Sequence, residues 1–183
     1  IRGFSMSEER PLVYIFHGDD MEAIERAIKQ VTQTLFPADA DPAMIELNTN
    51  KLDGLTTSMS DLATATGSMP FLTEHRLVIV DHPLERLMTD KTKDTMTNLL
   101  NGLPPWCTLV LVIEDVIERK DWKGLSTKHW LRTWVRNAGK KVKLQTLSLP
   151  KQIAMTKWIV DRTQELGGTI NENAANILAD MVG

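Results

Sequence analysis

The sequence predicts an α/β fold, a five-stranded parallel sheet with helices on both faces, followed by a short helical unit. Three observations predict it. Short apolar runs rich in β-branched residues alternate with longer amphipathic stretches, which is the pattern of βαβ units. The runs are mostly continuous rather than alternating, as strands buried on both faces require. Beyond Leu149-Pro150 the alternation stops and only helical periodicity remains, which marks a change of domain.

Strands are expected at 13–17, 44–47, 76–81, 108–113 and 141–147. The first helix follows Asp19 or Asp20 as its cap and runs to Leu35, with Met21, Ile24, Ile28, Val31 and Leu35 at helical spacing. A second follows Asp53, carries Leu55, Met59, Leu62 and Ala63 on one face, frays near Gly67 and points toward Met69, Pro70 and Phe71. A third covers 89–100 and is stopped by Pro104-Pro105; a fourth covers 122–137 and ends at Gly139. Two more, at 151–166 and 172–182, are joined by Gly167-Gly168. Residues 1–5, ahead of Met6, read as vector-derived, 6–149 as the α/β domain, and 150–183 as the first two helices of a truncated helical domain. Two helices alone cannot bury their apolar faces.

Composition narrows the function. A net charge of −3 gives no overall attraction to phosphate backbones, so any nucleic-acid contact is expected to be local. The longest apolar run, Leu109-Val110-Leu111-Val112-Ile113, falls far short of the roughly 20 residues of a membrane-spanning helix, so no membrane partner is expected. A single cysteine, Cys107, excludes an internal disulfide and a four-cysteine zinc site, and fits a reducing cytoplasm. Opening an apolar run, it reads as a small buried hydrophobe and not a nucleophile.

A parallel sheet of this kind raises the question of a phosphate-binding loop after the first strand. That place reads Phe16-His17-Gly18-Asp19-Asp20, with one glycine, no lysine and two carboxylates that repel a triphosphate. Gly139-Lys140 precedes a strand rather than a helix, so it is no substitute, and ATP binding of the usual kind is not expected. The run ending in Val80-Asp81 is similar to a Walker B strand, but His82 stands where a second carboxylate would polarise water. Asp81 reads as a helix or turn cap.

Asp19, Asp20 and Asp81 also fit the acidic pocket of a receiver domain, where three carboxylates hold Mg²⁺. Leu149-Pro150-Lys151 replaces the lysine-proline turn of a receiver, and the span from Asp20 to Asp81 exceeds one receiver βαβ unit. A receiver-like phosphoacceptor of two-component signalling is the alternative reading. His17, His75, His82 and His129 show no metal-ligand spacing with one another or with Cys107, and no serine stands in an elbow motif. No catalytic residue, metal or cofactor is expected.

Four blocks stand in order: Val13-Tyr14-Ile15-Phe16-His17-Gly18-Asp19-Asp20 with the following Ile24-Glu25; Met69-Pro70-Phe71-Leu72-Thr73-Glu74-His75-Arg76-Leu77-Val78-Ile79-Val80; Leu103-Pro104-Pro105 with Thr108-Leu109-Val110-Leu111-Val112; and Trp158-Ile159, Arg162, Glu165-Leu166-Gly167, Ile170, Asn173 to Ala175, Leu178 and Val182-Gly183. In succession they resemble the delta subunit of the bacterial DNA polymerase III clamp loader, a relative of the AAA+ ATPases that has lost its nucleotide site. The resemblance implies an AAA+/RecA-like fold without a phosphate-binding loop, with Gly18, Asp19 and Asp20 as the degenerate nucleotide site and the last two helices as the start of a lid. It implies a non-catalytic subunit of a DNA-directed DNA polymerase holoenzyme in the cytoplasm. Its partners would be the sliding clamp (the beta subunit), gamma/tau and delta prime in the full-length protein, and primer-template DNA only within the complex.

The resemblance also implies a clamp-binding hydrophobic wedge at Met69, Pro70, Phe71 and Leu72. By residue type alone, Phe71 and Leu72 would lead into the strand at Arg76 and pack in the core. The resemblance favours an exposed Phe71 and leaves Leu72 open. Between Arg119 and Lys143, nine basic residues face a single Asp121, and Trp122, Trp130 and Trp134 interleave. Lys128, Arg132, Arg136, Lys140, Lys141 and Lys143 are therefore candidates to face DNA. The other reading is a solvated helix face with Trp130 and Trp134, 4 residues apart, packed inward.

Overall fold

A computed structural model describes residues 10–150 and 152–182. They divide into two compact units, the first ending at Leu147 and the second beginning at Ser148. The first unit runs β1 (Val13–Gly18), α1 (Met21–Leu35), α2 (Pro42–Leu47), β2 (Thr49–Asp53), α3 (Met59–Gly67), β3 (Arg76–Asp81), α4 (Lys93–Asn101), β4 (Cys107–Glu114), β5 (Ile117–Glu118), β6 (Asp121–Trp122), α5 (Trp130–Ala138) and β7 (Val142–Thr146). Five strands form one parallel sheet in the order β2-β3-β4-β1-β7, and β5 and β6 form a separate antiparallel hairpin.

The central strands β1, β3 and β4 are buried on both faces, which is why their sequences are continuous apolar runs. On one face Val13, Ile15, Val78, Val80, Leu109 and Leu111 pack with Leu62, Met96 and Leu131 of α3, α4 and α5. On the other, Phe16, Leu77, Ile79, Val110 and Val112 pack with Ile24, Ala27 and Val31 of α1.

Four expected elements differ. Residues 44–47 are not a strand but part of α2, because Pro42 sits at its start and the Asp41 side chain caps it by accepting from the Ala43 N–H at 2.9 Å. The strand lies at Thr49–Asp53, whose polar sequence reflects an edge position paired only with β3. The next helix is capped by Ser58, not Asp53: Ser58 and Asp61 form a reciprocal capping box, and Asp53 stays in β2. The third helix starts at Lys93 after a turn in which the Thr92 hydroxyl donates to the Leu87 carbonyl. Residues 122–129 are not helical; Trp122 belongs to the hairpin, and α5 begins at Trp130 after His129, whose ring accepts from the Leu131 N–H.

The second unit contains α6 (Gln152–Glu165) and α7 (Glu172–Val182), packed through Met155, Ile159, Ala175 and Ala179. Gly167, at a φ of 79°, turns the chain between them, and the Gly168 N–H closes the end of α6 on the Thr163 carbonyl. Among the described residues no helix is long and apolar enough to cross a membrane.

Candidate functional site

The segment between α3 and β3 projects apolar side chains into solvent. Ser68 ends α3, its N–H and hydroxyl both donating to the Thr64 carbonyl. Met69, Phe71 and Leu72 then stand 73%, 56% and 79% exposed, so the core expectation drawn from residue type does not hold for Phe71 or Leu72. Pro70 is half-buried between them. The backbone is fixed by Asn48, which is fully buried after α2. The Phe71 N–H donates to Asn48 Oδ1 at 2.6 Å, and Asn48 Nδ2 donates to the Phe71 carbonyl at 2.9 Å. Leu72 follows at a φ of 55°, a left-handed conformation that strains a branched aliphatic residue. The segment rejoins the sheet at Arg76, whose guanidinium donates to the Ala65 carbonyl at 3.0 Å and also bonds Asn50. Sequence reasoning missed Asn48; no local pattern announces a side chain that pairs with backbone 23 residues away.

The turn after β1 is closed. Gly18 has a φ of 143°, and a Cβ there would lie 1.9 Å from the Leu147 carbonyl oxygen. That same oxygen accepts from the Asp20 N–H at 3.2 Å. The Asp20 side chain, buried, accepts from the Ala23 N–H at 2.9 Å and so caps α1. Where a nucleotide-binding protein offers a helix N-terminus to phosphate, this chain supplies its own carboxylate.

Beside it, His17 is fully buried, and its Nε2 lies 3.0 Å from Asp115 Oδ2. Asp115 also accepts from the N–H groups of Val116, Gly124 and Leu125 at 2.7–2.9 Å, which fastens the base of the β5–β6 hairpin. Burial works to raise the Asp115 carboxyl, but the donations from Gly124, Leu125, His17 and Val116 outweigh it and hold it below its usual value. Burial lowers His17 despite the Asp115 hydrogen bond. Trp122 packs edge-on against the His17 ring at 4.3 Å.

The basic stretch does not present tryptophans as stacking platforms. Trp130 and Trp134 pack against the core, their indole N–H groups donating to the Met88 carbonyl and to Asn101. Arg132 is half-buried and donates to the carbonyls of Leu125 and Ser126. Lys128, Arg136, Lys140, Lys141 and Lys143 are exposed.

The geometry does not favour a receiver. Receiver sheets follow the order 2-1-3-4-5, whereas β1 here lies between β4 and β7. Among the described residues no group of three His, Cys, Asp or Glu side chains could hold a metal ion. Asp81 does not act as the expected cap: its carboxylate takes no hydrogen bond among the described residues, while its carbonyl accepts from the Gly54 N–H.

The sheet order, the flanking helices and the closed β1–α1 turn define an AAA+-like α/β protein without a phosphate-binding loop. The family model described as DNA polymerase III, delta subunit, matches residues 14–135, and the chain belongs to that family. Among solved structures it is similar to a Bacillus subtilis DNA clamp loader delta protein, at 18% identity and a TM-score of 0.62, over 93% of this chain and 48% of the other. A Thermotoga maritima DNA polymerase III gamma-subunit-related protein matches at 17% identity and a TM-score of 0.50, over 87% of this chain and 49% of the other. A Thermotoga maritima RuvB variant matches at 13% and 0.50, over 94% and 49%. The chain spans about half the length of these structures. No curated protein sequence matches it.

Proposed function

We propose that this chain is the part of a clamp-loader delta subunit that grips the sliding clamp and helps open it, with Met69, Pro70, Phe71 and Leu72 entering an apolar pocket on the clamp. The observation that carries the reading is the joint exposure of Met69, Phe71 and Leu72 on a backbone pinned by Asn48. An aromatic side chain on a fixed backbone loses little conformational freedom on binding, which is how hot spots form. Ring opening follows if the tip binds the open or distorted clamp better than the closed one, since a ligand shifts an equilibrium only by its difference in affinity for the two states.

Opening the clamp in this way breaks and makes no covalent bond in this chain. Gly18, Asp19 and Asp20 are the degenerate nucleotide site, closed by Leu147 and by the Asp20 cap. In the full-length protein the partners are the beta clamp, gamma/tau and delta prime, with primer-template DNA only inside the complex and the cytoplasm as the compartment. The second unit is the start of the helical lid.

The test is a Phe71→Ala variant, with clamp affinity and melting temperature measured on the same sample. The expected result is a loss of about 2 kcal/mol or more of binding, tenfold or greater in affinity, with the melting temperature kept. Undiminished clamp affinity would end the wedge reading.

A further inference from the structure

A groove of about 1090 Å³ runs between α1 and α2 over the ends of β2, β3 and β4. Its lining is apolar below the rim: Ile79 and Val112 of the sheet lie buried at its base, and Met21, Ile28 and Ile45 keep part of their surface open. Its rim is acidic: Glu25 from α1, Glu46 from α2, Asp81 from the end of β3 and Glu114 from the end of β4, against Lys29 and Lys51. None of these six side chains has an ion pair or hydrogen bond among the described residues, so four carboxylates against two lysines leave the rim with an excess of negative charge open to solvent. The remaining basic group at the mouth, His82, is turned to Asp53, 3.3 Å away.

This chemistry selects the occupant. A phosphate or nucleotide would meet Asp81 and Glu114 at the ends of neighbouring strands and be repelled. The size is at the upper end of small-molecule pockets, and the groove lies along α1, whose 15 residues span about 22 Å. An amphipathic segment fits both features, with its apolar side chains on the partly exposed Met21, Ile28 and Ile45 and its lysines or arginines on the rim. We propose that the groove is a docking site for a cationic amphipathic segment of another protein. The acidic mouth lies at the C-terminal ends of β3 and β4, whereas the Phe71 tip precedes the N-terminal end of β3, so the two sites sit at opposite ends of the sheet and can be filled together.

The probe is a synthetic helical peptide of about four turns, with leucines on one face and lysines on the other. A second peptide carries glutamates in place of the lysines. Both are titrated into the full chain by fluorescence anisotropy, with amide exchange locating the bound region. The cationic peptide should bind saturably, protect α1, α2 and the ends of β3 and β4, and weaken about tenfold on the Glu25→Lys/Glu114→Lys double variant. It should bind Asp94→Lys as it binds the parent, since Asp94 is exposed on α4 against the other face of the sheet. Clamp affinity should be the same in the double variant, which separates this site from the tip. Equal weakening by Asp94→Lys would mean diffuse attraction to an acidic chain and would overturn the proposal, as would protection elsewhere or equal binding of the glutamate peptide.

Discussion

Asn48 grips the backbone of Phe71 on both sides, accepting from its N–H and donating to its carbonyl. The pairing works like a strand ladder compressed into one side chain, and it leaves Phe71 56% exposed. Asn48→Ala would strip both Phe71 groups of their partner. Leaving a backbone donor and acceptor unsatisfied costs about 1–3 kcal/mol, so the melting temperature should fall. Clamp affinity should fall too, because a loosened tip must be ordered on binding. The discriminating measurement is a double-mutant cycle: with Phe71→Ala already present, Asn48→Ala should cost little further affinity, since the two act through one tip. Additive losses would show that Asn48 serves only the fold.

Leu72 sets stability against function at one position. Its left-handed φ costs about 1–2 kcal/mol that glycine would not bear, although glycine also adds freedom to the unfolded chain. Leu72→Gly should therefore leave the melting temperature level or raised while weakening clamp binding, because an exposed apolar side chain is removed from the tip. A large fall in melting temperature would mean that the side chain packs in the folded protein.

The buried strands of this fold were legible, and so was the edge strand Val142–Thr146, expected at 141–147; the other edge strand was not. Strands buried on both faces, such as Arg76–Asp81 and Cys107–Glu114, must be apolar at nearly every position, so a run of such residues betrays them. The edge strand Thr49–Asp53 is half-exposed and polar, and the nearby apolar residues Met44 to Leu47 belong to a short helix fixed by Asp41 and Pro42. The inward tryptophans were legible because a 4-residue spacing places them on one helical face. At the site, the apolar cluster could be read from the chain, but its exposure and its hold on Asn48 depend on how distant segments meet.

The exposed lysines permit a sharper test of DNA binding than the whole basic stretch, since Arg132 is tied to loop carbonyls and the tryptophans face inward. Reversal of Lys140, Lys141 and Lys143 to glutamate in the assembled loader should weaken DNA binding more than clamp binding. It should also lower the salt dependence by about 0.9 in log–log slope for each DNA phosphate that these lysines no longer neutralise. An unchanged slope would assign these lysines to solvation, and Lys143 on the edge strand β7 to blocking unwanted strand pairing.

His17 should make the fold sensitive to mild acid. Its Nε2 donates to Asp115, and its Nδ1 is buried without a partner among the described residues. Protonation would create a second N–H with no acceptor in a site already closed to water, so burial keeps the ring neutral and its pKa low. In the unfolded chain the same ring takes up a proton near pH 6.5. Below that pH the unfolded state therefore binds more protons than the folded one, and stability must fall as the pH drops from about 6.5 toward the lower folded value. One such group contributes at most about 1.4 kcal/mol per pH unit. His75 and His129, also lowered chiefly by burial, act in the same direction, whereas Asp115, held below the ordinary carboxylate value, adds its loss only at lower pH. His17→Gln keeps a donor for Asp115 but removes the titrating ring. Chemical denaturation at pH 7 and pH 5.5 should show a shallower loss for this variant than for the parent, and identical losses would place the acid sensitivity elsewhere.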